Sequence, residues 1–194
     1  MCLAKKPNYE FLLVCLGNPG KAYARTRHNA GFLFAAWLQK NKDIKIKKSK
    51  FKSLYGYIKL DGKKGLIVLP QTYMNLSGVA VKGFAVSERV SPSNIIVVCD
   101  DINFNVGQMR IKRKGSSAGQ KGVGSIIEQL ETEDFPRIKL GVGDKAERQD
   151  LKDYVLSDFT DKEIKALDAM FSDVYDAVTL TANGNIDLAM QKYN

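Results

Sequence analysis

Only one histidine, His28, occurs among 194 residues, and an imidazole is the side chain best suited to take and return a proton near neutral pH. A lone histidine is more often structural than chemical, so its neighbours decide how it is read. It stands in TRHNAGF (26–32), soon after LGNPG (16–20), where an apolar run ends and the chain leaves through a tight turn toward a helix. Three other polar clusters also follow apolar runs. PQTYMNLSG (70–78) offers Asn75 to orient substrate or donate a hydrogen bond to a developing oxyanion, with Ser77 read as a helix N-cap rather than a nucleophile. Cys99, Asp100, Asp101 and Ile102 offer Asp100 as a carboxylate that fixes the tautomer of an imidazole and stabilises its charged form. Metal binding by Asp100 and Asp101 competes with that reading. No His or Cys ligand set accompanies them, and adjacent residues on an extended chain point apart. The last cluster, KGSSAGQKG (114–122), is read either as a phosphate cradle or as a mobile lid. It is no P-loop, because Gly122 follows Lys121, and no GxGxxG fingerprint occurs here or at LGNPG, which discards a dinucleotide enzyme.

Positioning these groups requires a sheet with helices. Short apolar runs bounded by turn residues predict strands at about 11–16, 54–60, 65–69, 95–99, 107–112 and 137–142. Several are apolar on both faces, as central strands covered by helices are. Helical spacing follows Asn29 (Phe32, Ala35, Ala36, Leu38), and recurs near 77–87 and over 122–130. It is clearest in Ile164, Leu167, Phe171, Val174 and Val178, preceded by Thr160 and Glu163 as a capping box. Alternating strands and helices imply an α/β fold, a single three-layer α/β/α domain over residues 1–194 with a twisted mixed central sheet. No repeat or linker divides the chain.

The formal charge of +9 raises the chance of a polyanionic partner without bearing on fold. Residues 144–176 hold ten acidic and five basic side chains, so the basic character belongs to the body that precedes them. Seven lysines between 40 and 52 read by default as a solvated connection, while Arg110, Lys112, Arg113 and Lys114 border the small-residue loop. Cysteines at 2, 15 and 99 form neither a CxxC pair nor a disulfide framework, and Cys15 and Cys99 read as small buried hydrophobes. With no apolar stretch of signal-peptide or membrane-spanning length, the expectation is a cytoplasmic protein without a membrane partner.

Together, GNPG with Tyr23, TRHNAGF, PQTYMNLSG, the strand-end Asp100 and Asp101, the small-residue loop before a helix, and FPRIKLGVG (135–143) resemble the bacterial peptidyl-tRNA hydrolases from Leu12 to the C-terminal helices. The resemblance implies a monomeric α/β/α enzyme that cleaves the ester between a peptide and the 3′ ribose of tRNA without metal or other cofactor. It implies His28 as proton acceptor, Asp100 as the group supporting its basic form, and Asn18 as the residue that helps to tell a blocked amino group from a free one. Tyr23, Tyr73 and Asn75 become substrate contacts, and Lys112 and Lys139 stand where a basic phosphate clamp is implied, with Arg110 a further candidate for tRNA phosphates. One departure matters: the family commonly has His-Asn-Gly where this chain has Gln120, Lys121 and Gly122. A charged lysine donates but cannot accept a hydrogen bond. Lys121 is therefore expected to touch tRNA through its ammonium. Two competing readings are an RNA-binding protein on the same scaffold without catalysis, as in the family's intron-splicing relatives, and a small-molecule esterase using the same base.

Overall fold

The computed structural model describes residues 8–143 and 150–194. Its strands are β1 (Phe11–Cys15), β2 (Ile46–Lys50), β3 (Ser53–Leu60), β4 (Lys63–Pro70), β5 (Ile95–Asp101), β6 (Met109–Lys112) and β7 (Arg137–Gly141). They form one sheet in the order β2-β3-β4-β1-β5-β7-β6. β4, β1, β5 and β7 run parallel, and antiparallel strands complete both edges. The helices are α1 (Ala30–Asn41), α2 (Ser77–Glu88), α3 (Lys121–Leu130), α4 (Leu151–Val155), α5 (Asp161–Ala182) and α6 (Ile186–Tyr193).

All five residues of β1 are buried because each face of the sheet carries its own core. Phe11, Leu13 and Cys15 pack with Phe34 and Leu38 of α1 and Phe171 and Val174 of α5. Leu12 and Val14 pack with Val81 and Phe84 of α2 and Val123 and Ile126 of α3. A strand covered twice reads as a continuous apolar run, whereas β3, nearer the edge, alternates exposed Tyr57 and Lys59 with buried Ile58 and Leu60. The three-layer α/β/α arrangement with a mixed sheet therefore follows from where the apolar residues fall.

The capping box at Thr160 and Glu163 is formed and starts α5. Ser77 differs from expectation. A 3-10 turn at Met74–Leu76 runs straight into α2, so Ser77 is already helical, caps nothing, and its hydroxyl is buried without a hydrogen-bond partner among the described residues. The lysine-rich stretch also differs, since it contains the edge strand β2, four of whose five residues are exposed. With Ile46 its only apolar residue, β2 carries no alternating pattern to read. Its lysines blunt an edge that would otherwise offer unpaired backbone groups to another chain.

The topology prepares a crevice. α1 follows β1 onto one face of the sheet while α2 follows the neighbouring β4 onto the other. Loops that part in this way leave an opening at the carboxyl ends of the strands, where α/β folds hold ligands.

Candidate active site

His28 lies in a 3-10 turn, Arg27–Asn29, that enters α1 directly. The helix start presses against the strand ends at Gly31, where a Cβ would come within 2.5 Å of the Leu16 carbonyl oxygen and 2.7 Å of that of Val98. Only glycine allows this approach, which brings the turn beside the end of β5. The result is a contact of 2.8 Å between His28 Nδ1 and Asp100 Oδ2. A carboxylate there accepts from Nδ1–H, so the second ring nitrogen, Nε2, is left as the basic one. Both side chains are nearly buried, 10% and 3% exposed, yet both line an open cleft of about 590 Å³.

The turn itself is clamped from behind. Arg27 donates to the Val142 carbonyl at 2.8 Å, bonds both oxygens of Glu163 at 2.8 and 3.2 Å, and lies over the rings of Tyr154 and Phe159. Burial alone would push the Glu163 carboxyl up, but hydrogen bonds from Arg27 and Thr160 outweigh it and hold its pKa below the usual range. Glu163 thus both caps α5 and anchors the residue next to His28.

On the other side of His28, Asn29 folds its amide onto the LGNPG turn. It accepts from the Asn18 backbone N–H at 2.8 Å and donates to the Asn18 carbonyl at 3.0 Å. Asn18 in turn accepts at Oδ1 from the Met74 backbone N–H at 2.9 Å. That bond fixes which way its amide faces, leaving Nδ2 as a donor on the cleft floor with no acceptor among the described residues. Gln120 completes the floor: Nε2 donates to Asp100 Oδ1 at 2.9 Å and lies 3.5 Å from Met74 Sδ, while Oε1 accepts from the Val123 N–H at 2.7 Å and caps α3.

The rim is different. Tyr23 and Tyr73 meet edge to face, centroids 6.4 Å apart, and Tyr73 is 59% exposed. Asn75 and Lys121 are exposed on the cleft, their side chains without hydrogen-bond or ion-pair partners among the described residues. One wall is the loop from Ser117 to Lys121, and the other is α4 with Leu151, Lys152 and Val155. Lys139 reaches the cleft while paired with Asp101 at 2.5 Å. Burial would raise the Asp101 carboxyl, but Lys139 and two hydrogen bonds from Asn103 bring it below its ordinary value. Arg110 and Lys112 lie on β6 and do not line the cleft. Arg110 donates to the Asn194 carbonyl at 3.0 Å and covers Phe104, and Lys112 is exposed.

Cys15 and Cys99 are fully buried and their thiols are pushed far up by burial, so neither is a nucleophile; Cys2 lies outside the described residues. Among the described residues no three His, Cys, Asp or Glu side chains gather where a metal could be held, and no helix is long and apolar enough to cross a membrane. The sequence reading had singled out neither Arg27 nor Asn29. Both adjoin the one histidine, and a hydrogen-bonding side chain on each side of a candidate base is the signal that could have found them. Met74 acts through its backbone and carries no such signal.

The family model described as peptidyl-tRNA hydrolase matches residues 12–194. A peptidyl-tRNA hydrolase of Caldanaerobacter subterraneus is 42% identical over 184 residues, 95% of this chain and 99% of that one. One from Finegoldia magna is 43% identical, over 95% and 97%. Among solved structures, the peptidyl-tRNA hydrolase of Acinetobacter baumannii superposes with a TM-score of 0.88 at 32% identity, covering 95% of this chain and 94% of that one.

Proposed function

The chain belongs to the peptidyl-tRNA hydrolase family, and from that premise we propose that its cleft hydrolyses the ester of peptidyl-tRNA with His28 as general base. One observation carries the mechanism: the only histidine bonds a carboxylate through Nδ1 on the floor of an open cleft, leaving Nε2 to accept a proton. Water attacks the ester carbonyl as its proton passes to Nε2, and Asp100 stabilises the imidazolium so formed. Nδ2 of Asn18 and the amide of Asn75 are the donors available to the tetrahedral oxyanion. As that intermediate collapses, the imidazolium returns its proton to the departing 3′ oxygen of the ribose, giving a free tRNA end and the peptide acid. No covalent enzyme intermediate is needed, and no metal.

Tyr23 and Tyr73 offer faces and edges on which a terminal base stacks. Lys121 and Lys139 supply cations for phosphates near the cleft, and Arg110 and Lys112 extend that charge along β6 for more distant ones. We take residues 1–194 as one domain acting as a monomer in the cytoplasm. The test is multiple-turnover hydrolysis of N-acetyl-aminoacyl-tRNA by the parent and by His28→Ala. The variant is expected to fold and hold tRNA but to turn over at least about 10³-fold more slowly. Equal rates would remove His28 from the mechanism. A parent that retains tRNA and releases no acid would favour the RNA-binding reading that Lys121 motivates.

A further inference from the structure

We propose that Gln120 is a positioning residue for the hydrolysis, holding the Asp100 carboxylate in register with His28 through an uncharged amide fixed on the start of α3. The inference deepens the reading above and rests on it where turnover is concerned. The two oxygens of Asp100 are divided between two partners: Oδ2 receives the imidazole at 2.8 Å and Oδ1 receives Gln120 Nε2 at 2.9 Å. A carboxylate held at one oxygen can swing about its Cβ–Cγ bond, whereas one held at both cannot without losing a bond. The orientation of Gln120 is itself decided, because Oε1 accepts from the Val123 N–H, and only the amide nitrogen then faces Asp100.

The bond also closes a circuit. Gln120 reaches Met74, the Met74 N–H donates to Asn18, Asn18 exchanges two bonds with Asn29, and Asn29 adjoins His28. The side chains of Asp100, Gln120 and Asn29 are each held at two points, so the imidazole is supported from the carboxylate side and its neighbouring backbone is fixed at the same time. An amide neither gains nor loses a proton in the working range, so the support does not vary with pH, which a titrating side chain could not ensure.

The alternative is that Gln120 only caps α3, and two variants separate the roles. Gln120→Ser keeps a good N-cap but is too short to reach Asp100. Gln120→His can replace both bonds, donating from one ring nitrogen and accepting at the other. With peptidyl-tRNA at pH 8, Gln120→Ser is expected to melt within about 2 °C of the parent and to lose about tenfold in kcat with KM within twofold. Gln120→His should recover kcat to within about threefold. Because the parent and Gln120→Ser each contain one histidine, the ring N–H proton of His28 gives a single, unambiguous downfield NMR resonance. It should shift or broaden in Gln120→Ser at unchanged fold. The proposal requires both the kcat loss and the altered resonance. It is overturned if either is missing, if the loss lies in KM alone, or if Gln120→His is no better than Gln120→Ser. A parent that does not hydrolyse peptidyl-tRNA would sink the reading of function, and the resonance alone would then decide whether Gln120 holds the dyad.

Discussion

The floor and the rim of the cleft are built on opposite plans. On the floor, His28, Asp100 and Gln120, and likewise Asn18, Asn29 and the Met74 backbone, are joined by hydrogen bonds between 2.7 and 3.0 Å, the two groups meet at a 3.5 Å contact of Gln120 with Met74 Sδ, and little of them is exposed to solvent. On the rim, Tyr73, Asn75 and Lys121 are exposed, and neither Asn75 nor Lys121 has a partner among the described residues. Groups that must meet a reacting bond within a fraction of an ångström need their geometry fixed beforehand. Groups that meet a large, variable ligand gain from being unpaired, since they have no internal bond to surrender on contact. Losses on the floor, and of the oxyanion donor Asn75, should therefore fall on kcat, and losses of Tyr73 or Lys121 on KM.

The severest break of that distinction is Asp100→Asn, which preserves shape but favours the wrong tautomer of His28. Its kcat should fall about 10³-fold with little change in tRNA affinity, measured by single-turnover hydrolysis beside a filter-binding titration. A fall in affinity of comparable size would erase the contrast. Next comes Arg27→Met behind the floor, which takes the cation from Glu163, leaving it only the Thr160 bonds, and removes the bond to Val142. It should cost about 2–4 kcal/mol of stability in urea unfolding, and an unchanged midpoint would show that the clamp is not what steadies the turn.

Acid sharpens the comparison from the carboxylate side. Asp101 and Glu163 both have folded-state pKa values below the ordinary ones, so in acid the unfolded chain binds more protons than the native protein. The stability they contribute is fully present above the unfolded values, about 4, and is lost as pH falls through the folded ones. Urea midpoints should drop between pH 5 and pH 2, and less steeply in Lys139→Met, which lacks the cation facing Asp101. Parallel curves for the two proteins would remove Lys139 from the account. The smallest effect belongs to the rim. Lys121→Gln should raise KM for tRNA about threefold at low salt, move kcat less, and reduce the slope of log affinity against log salt by about 0.7–0.9. An unaltered slope would mean that the ammonium contacts no phosphate.

The sequence made the floor partly legible and the rim mostly so. Strands covered on both faces stood out as unbroken apolar runs, and β1, β4 and β5 were located to within a few residues. β2 was not, because an edge strand of lysines presents no alternation. α4, at five residues, and α6, at eight, are too short to establish a period. His28 and Asp100 could be paired on paper because one base and one strand-end carboxylate leave few choices. The roles of Arg27, Asn29 and Gln120 could not, since each depends on partners between 11 and 136 positions away along the chain. Ser77 misled for a local reason: the preceding 3-10 turn had already begun the winding that a cap would have started.

Gly31 contributes no proton, no charge and no apolar surface, yet it gauges the distance from acid to base. A single added methyl would meet the main chain of Leu16 and Val98 at once, and the helix would have to back away from both central strands. The first segment to travel with it would be the turn three residues upstream, carrying the imidazole out of reach of its carboxylate. Alanine at this position should therefore behave as an active-site lesion, although no atom of residue 31 would ever touch the substrate.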